Sequence, residues 1–219
     1  MESGWLRAGA IEALDLVTPC FCAGCGRLGE ALCARCAAVF YEPPRAVTTA
    51  ATDLPVWAVA SYEAEARRAI LAWKRGRVDV SAWILAAVAE LADRWQAVTQ
   101  EKVGVVVPAP SGWRRRISGT FVVGQAASSV GAVLGAPVAD VLRKRGGGHS
   151  GGRGALARSR ESGAIRVVGR AELPARVVVV DDVVTTGVTL DACARALGSQ
   201  GVTVVAALVL ASTPRRSVV

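Results

Sequence analysis

Residues 177–190, VVVVDDVVTTGVTL, join a run of valines to two adjacent carboxylates, Asp181 and Asp182, and then to a loop of small hydroxyl-bearing residues around Gly187. Carboxylates accept hydrogen bonds from hydroxyl groups. A turn that feeds a helix N-terminus offers free backbone N–H groups and the positive end of the helix dipole to an anion. Gly187 permits a positive φ and a close approach of the backbone to a phosphate. Thr185, Thr186 and Thr189 add hydroxyl donors. Such a set asks for a ligand with a phosphate at one end and neighbouring hydroxyls nearby, and a ribose 5-phosphate meets both demands. An ordinary strand, turn and capped helix accounts for one aspartate and one threonine but not for the whole set. A P-loop nucleotide site is excluded, because GxxxxGK[ST] occurs nowhere in the chain.

A second constellation lies near the N-terminus. In CAGCGRLGEALCARC, Cys22, Cys25, Cys33 and Cys36 form two C-x2-C pairs separated by seven residues. Each pair can set two thiolates on one metal, with Gly24 and Gly26 easing the turn, and four thiolates suit tetrahedral Zn2+. Cys20 is a further thiol that can substitute for Cys22. Cys193 falls within a helical stretch and reads as a small core residue. So short a finger has no core of its own, so metal binding supplies most of its folding free energy. Phe21, Phe40 and Tyr41 beside it serve either a core or a partner surface.

The elements that must hold these residues alternate in type. Strands are predicted over 56–62, 102–110, 137–144, 164–169, 175–182 and 202–212, and helices over 63–76, 81–95, 121–135 and 189–201. Valine-rich strands alternating with helices indicate a mainly parallel sheet covered on both faces. Ligands of such sheets bind beyond the carboxyl ends of the strands, where Asp181 and Asp182 are placed. The segments divide as an N-terminal amphipathic helix over 1–17, the finger over 18–42, a Pro- and Thr-rich linker over 43–55, an α/β domain over 56–213 and a tail over 214–219. A glycine-rich basic stretch, 145–163, interrupts the domain.

The chain has 219 residues, 52% hydrophobic and 20% charged, with a net charge of +8. This composition supports a packed core and favours anionic partners such as phosphorylated metabolites or nucleic acid. No apolar run reaches the roughly 18 residues of a membrane span. The N-terminus lacks the basic region of an export signal, so the expected compartment is the cytoplasm, where clustered cysteines indicate metal more than disulfides.

The stretch VVVVDDVVTTGVTL resembles the 5-phosphoribosyl-1-pyrophosphate (PRPP) motif of type I phosphoribosyltransferases: a hydrophobic strand, two acidic residues, then a loop containing Thr-Gly. The order of the other elements, with the double C-x2-C finger, is similar to the ComF family of competence-associated, phosphoribosyltransferase-like proteins. The resemblance implies an α/β, type I phosphoribosyltransferase-like fold with a small N-terminal zinc-binding finger. It assigns Asp181 and Asp182 to the ribose hydroxyls. It assigns Val183, Val184, Thr185, Thr186, Gly187, Val188 and Thr189 to the 5-phosphate, with Mg2+ held largely by PRPP itself. It also makes the loop of VVVPAPSGWRRR a pyrophosphate site, with Pro108, Ser111, Arg114 and Arg116 as candidates. Arginine suits that task because its planar fork donates two bonds to one phosphate. Downstream, RISGTFVVGQ departs from the family's Arg-Gly-Phe-Asn-like stretch.

The basic stretch 145–163 resembles in position the loop that closes over PRPP. It brings Arg145, Arg153 and Arg158 as pyrophosphate candidates and contains the single histidine, His149. Lys74 and Arg75, at the end of the 63–76 helix, are placed to line the site, although Arg67, Arg68 and Arg75 equally suit a solvated face. Three functions follow: phosphoribosyl transfer from Mg·PRPP to a nitrogen acceptor, a non-catalytic adaptor in DNA uptake that senses PRPP or a nucleotide, or nucleic-acid binding by the basic surface and finger.

Overall fold

A computed structural model of the chain describes residues 19–111, 121–144, 165–169 and 173–214. The expected N-terminal helix, Arg114, Arg116, the basic stretch with Arg145, His149, Arg153 and Arg158, and the tail from residue 215 lie outside the described residues.

In chain order the elements are α1 (Ala34–Ala38), β1 (Arg45–Val47), β2 (Val56–Ser61), α2 (Ala64–Lys74), α3 (Val78–Thr99), β3 (Val105–Pro108), α4 (Val122–Leu134), β4 (Leu142–Lys144), β5 (Ile165–Val167), β6 (Arg176–Val184), α5 (Val188–Gly198) and β7 (Thr203–Ser212). Five strands form one sheet in the order β1-β2-β7-β6-β3, and β4 pairs with β5 in a separate two-stranded ribbon. Every pairing in the main sheet is parallel except that of β1 with β2. The expected fold, a mainly parallel sheet flanked by helices, is the observed one.

The physical reason lies in β6. Successive strand residues face opposite sides of a sheet, yet Val177, Val178, Val179 and Val180 are all buried. Both faces must therefore be covered, by α2, α3, α4 and α5. Each buried valine contributes about 1.5–3 kcal/mol relative to exposure, which holds β6 in the interior of the sheet, between β7 and β3, and sets the height of its carboxyl end above the core.

Several stretches differ from their expected outlines: the strands read over 102–110 and 137–144 shorten to Val105–Pro108 and Leu142–Lys144. The helix read over 81–95 runs from Val78 to Thr99 and closes at Gln100 in the left-handed region, φ 54°. The 43–55 segment, read as a linker without periodicity, contains β1, whose Arg45, Ala46 and Val47 pair with Ala58, Trp57 and Val56. Beyond β1 the segment docks on the rest of the protein: Thr49 is buried, and the Ala51 N–H donates to the Thr186 carbonyl at 3.0 Å. Three residues with no alternation give too little pattern to read as a strand.

The finger shares the main core. Cys22, Leu32, Cys36 and Phe40 are buried in the same apolar cluster as the sheet, whereas Phe21 remains half exposed. Arg68 on α2 donates to the Gly24 carbonyl, and Arg77, just before α3, donates to the Phe21 carbonyl at 2.9 Å.

Candidate functional site

The two aspartates sit inside β6. Asp181 pairs with Val209 of β7, and pairing continues through Val183 and Val184. Only Thr185, Thr186 and Gly187 form the loop, and α5 starts at Val188. Of the seven residues assigned to the phosphate by resemblance, Val183 and Val184 are thus strand residues, and Val188 and Thr189 open the helix. Consecutive strand positions send the carboxylates to opposite sides. Asp182, buried, turns to α2 and takes the Lys74 Nζ at 2.7 Å. Asp181 lies within electrostatic reach of Cys193 on α5. Both nevertheless line one cleft of about 220 Å³, because it wraps over the end of the strand; Lys74, Lys144, Ser111 and Thr189 complete its polar wall.

Asp181 is pushed up to about 7, first by burial and then by the charge of Asp182. The Asp182 N–H donating to Asp181 Oδ1 at 2.8 Å, with the charges of Lys74 and Lys144, opposes the rise. Across neutral pH Asp181 therefore passes from its neutral to its charged form. Cys193, fully buried, has its thiol pushed far up by burial and by Asp181, which makes it the small inert core residue that its helical position implies.

The loop forms its own recess of about 40 Å³ between Asp181 and α5, lined by Thr185, Thr186, Gly187 and Thr189. One water occupies about 10–15 Å³ on a comparable measure, so the recess holds about three such spheres, the footprint of a phosphate's terminal oxygens. Gly187 caps α5 with φ 86°. A Cβ there would lie 2.4 Å from Thr49 Oγ1 and 2.8 Å from Thr49 Cβ. The close neighbour that demands glycine is thus the docked segment after β1, in addition to the positive φ. The buried Thr49 was not singled out in the sequence; the Thr-rich composition of its segment was the only signal.

On the far side of the cleft, Pro108 ends β3 opposite Val180, and Ala109 N–H donates to the Val180 carbonyl at 2.8 Å. These bonds aim Ala109, Pro110 and Ser111 at the aspartates. The Ser111 hydroxyl is buried and has no hydrogen-bond partner among the described residues. A buried polar atom left unpaired costs about 1–3 kcal/mol, and Ser111 lines the cleft. Lys74 lines the cleft as expected. Arg75 is exposed and does not. Arg67 lies over the Tyr62 ring, 6.0 Å from its centre, and Arg68 braces the finger.

The four cysteines converge as their spacing requires. The sulfurs of Cys22, Cys25, Cys33 and Cys36 all lie within 4.8 Å of one another, and Cys20 is outside the group. Four bonds of about 2.3 Å to a tetrahedral zinc place sulfurs about 3.8 Å apart, which is the Cys25–Cys33 separation of 3.8 Å. Burial pushes the Cys22 thiol up, but the N–H groups of Cys25, Cys33 and Gly24 outweigh it and bring it to about 6. Cys25 is lowered as well, chiefly by the Arg27 backbone, whereas burial and the neighbouring sulfurs hold Cys36 far up. The donor set fits a divalent, thiophilic ion, whose charge would favour all four thiolates. Gly24 is small because Cys36 packs on it: a Cβ there would meet Cys36 Cβ and Sγ at 2.7 Å.

Residues 122–218 match the family model of the phosphoribosyl transferase domain. The matched stretch begins with α4 and contains β6, the Thr185–Gly187 loop, α5 and β7, which are the elements that build the recess and one wall of the cleft. Over these elements the fold is that of a type I phosphoribosyltransferase. Among solved structures the chain is similar to the orotate phosphoribosyltransferase from Aeropyrum pernix, with 26% identity and a TM-score of 0.41; the match covers 67% of this chain. The chain spans 64% of the length of that protein. No curated protein matches the chain. Among the described residues, no helix is long and apolar enough to cross a membrane.

Proposed function

We propose that the cleft binds PRPP, or another ribose 5-phosphate ligand, with Mg2+, and that the protein transfers the phosphoribosyl group to a nitrogen acceptor with release of pyrophosphate. The observation that carries this reading is the phosphate-sized recess at the N-terminus of α5, opening beside two carboxylates at the end of the same strand. The 5-phosphate takes the N–H groups and hydroxyls of Thr185–Thr189. The ribose hydroxyls donate to Asp181 and Asp182, displacing Lys74 from part of its contact. The Ser111 hydroxyl and the loop after β3 face the pyrophosphate. A bound Mg2+ supplies charge neutralisation to the pyrophosphate oxygens. In the reaction a C–N bond forms at C1 of the ribose while its bond to the pyrophosphate oxygen breaks, and the pyrophosphate carries off that electron pair. The carboxylates face the positive charge that develops on the sugar in between.

A second reading is a ComF-like adaptor in DNA uptake, in which the same cleft senses PRPP or a nucleotide. It is favoured by the way the finger grips α2, whose last residue is Lys74: a partner on the zinc-bound finger would feel the state of the cleft through one rigid helix.

Calorimetry with Mg·PRPP tests the shared part of both readings. Asp181→Asn with Asp182→Asn keeps the volume and removes charged acceptors that contribute about 1.5–3 kcal/mol per hydrogen bond, so affinity should fall at least about tenfold. Equal affinity in the double variant would overturn the site. Pyrophosphate release from Mg·PRPP over a panel of nucleobases separates enzyme from adaptor.

A further inference from the structure

The segment that joins the finger to the sheet places Arg45 at an unexpected spot. Because β1 runs antiparallel to β2, its first residue lies toward the carboxyl end of β2, and ligands of parallel sheets bind beyond such ends. There the guanidinium is held by three neutral oxygens. Its Nη2 donates to Ser61 Oγ at 3.0 Å and to Ser212 Oγ at 3.4 Å, and its Nη1 donates to the Val59 carbonyl at 3.3 Å. Arg68, Arg77, Arg94, Arg143 and Arg176 each pair with a carboxylate; among the described residues Arg45 has none.

Ser61 and Ser212 are the paired last residues of β2 and β7. Their oxygens accept from Arg45, so their own protons are free to donate elsewhere. Arg45, Thr48, Ser61, Thr185, Ser212 and Thr213 contribute to a pocket of about 380 Å³, with no acidic residue in its wall among the described residues. A fixed cation, a ring of hydroxyl donors and no carboxylate select an anion. The volume, within the range of about 300–1,000 Å³ typical of small-molecule sites, exceeds what a bare inorganic ion fills. Thr185 lines both this pocket and the recess of the phosphate loop, so the two are adjacent and separate.

We propose that the Arg45 pocket is a second anion site, which binds the phosphate or carboxylate group of a small metabolite beside the ribose 5-phosphate site. It requires neither aspartate and stands whether or not the proposed function does.

Equilibrium dialysis of the zinc-loaded full chain against inorganic phosphate counts the sites. The wild type should bind two equivalents, one on the Thr185–Thr189 loop and one at Arg45. Arg45→Gln should lose one equivalent while keeping its affinity for ribose 5-phosphate within about twofold, since the residue is absent from the recess and the cleft. Arg45→Lys, which retains the charge but not the fork, should keep that equivalent with about tenfold weaker affinity, a difference of about 1.4 kcal/mol. Citrate as competitor tells the sources apart: displacement of the Arg45-dependent equivalent indicates a carboxylate ligand, and its persistence a phosphomonoester. Should Arg45→Gln fail to fold, Ser61→Ala with Thr213→Val removes two of the hydroxyl donors and should weaken that equivalent at least fivefold. A folded Arg45→Gln protein that still binds every equivalent, or an unaltered phosphate affinity in the Ser61, Thr213 variant, would overturn the proposal and leave Arg45 a staple between β1, β2 and β7. Loss of PRPP binding in the Asp181, Asp182 variant with the Arg45 equivalent intact would bear on the proposed function alone.

Discussion

Replacing Lys74 by Met takes the ammonium away from Asp182 and leaves an unbranched chain of similar length on α2. The side chains of this pair are only 20% and 12% exposed and meet at 2.7 Å, so solvent screens them far less than a surface pair. A hydrogen bond to a charged group contributes about 1.5–3 kcal/mol. In a protein of this size each kcal/mol shifts the melting temperature by about 2–4 °C, so the variant should melt about 3–12 °C lower. A second effect follows from Asp181, which sits at about 7 because burial and Asp182 raise it while Lys74 and Lys144 lower it. Without Lys74 it keeps its proton to higher pH. Ribose hydroxyls donate to an ionised carboxylate, so affinity for ribose 5-phosphate should rise as the pH passes upward through this pKa. In Lys74→Met the midpoint of that rise should move above 7. Asp181→Asn should lack the step, which separates it from the ligand's own second ionisation near pH 6.

Folding stability has the opposite sense. The folded chain holds the Asp181 proton more tightly than the unfolded chain does, so this group's contribution is present at low pH and is lost as the pH rises from 3.8 to about 7. Thermal melts by circular dichroism and calorimetric titrations across neutral pH measure both effects. A Lys74→Met protein that melts with the wild type and shows an unmoved binding midpoint would refute the reasoning.

Two other perturbations probe the parts around the cleft. Protein purified without chelator should carry about one zinc per chain; stripping it should speed hydrogen exchange in 20–40 and at the start of α2, where Arg68 meets Gly24, and metal analysis finding no zinc would count against the finger. Gly187→Ala should cost about 1–2 kcal/mol for the left-handed φ alone, plus displacement of Thr49, and should weaken ribose 5-phosphate binding; Thr49→Gly in the same chain should recover part of the loss, and a double-mutant cycle without coupling would show that the 2.4 Å approach is not what demands glycine.

The placement of both constellations was legible in the chain, because each is written in local spacing. Two C-x2-C pairs bring four sulfurs to one point whatever surrounds them. A valine run, two aspartates and a Thr-Gly turn make a strand, an acidic end and a helix cap from one stretch of backbone. The alternation of valine-rich strands with helices likewise specified a parallel sheet covered on both faces. Long-range contacts are different, since they depend on where separate segments meet. That Asp182 faces Lys74 while Asp181 turns toward α5 follows from the pleat of β6 and the packing of α2, 107 positions earlier by the numbering of Lys74 and Asp181. Arg45 and Thr49 carry no motif; they matter because β1 runs antiparallel to β2 and lays its continuation against Gly187. Cys22 rather than Cys20 joins the cluster because the turn at Gly26, with its N–H on the Cys22 carbonyl, points that sulfur inward. Spacing fixes which groups can react, and only the packing of distant segments decides which of them face one another.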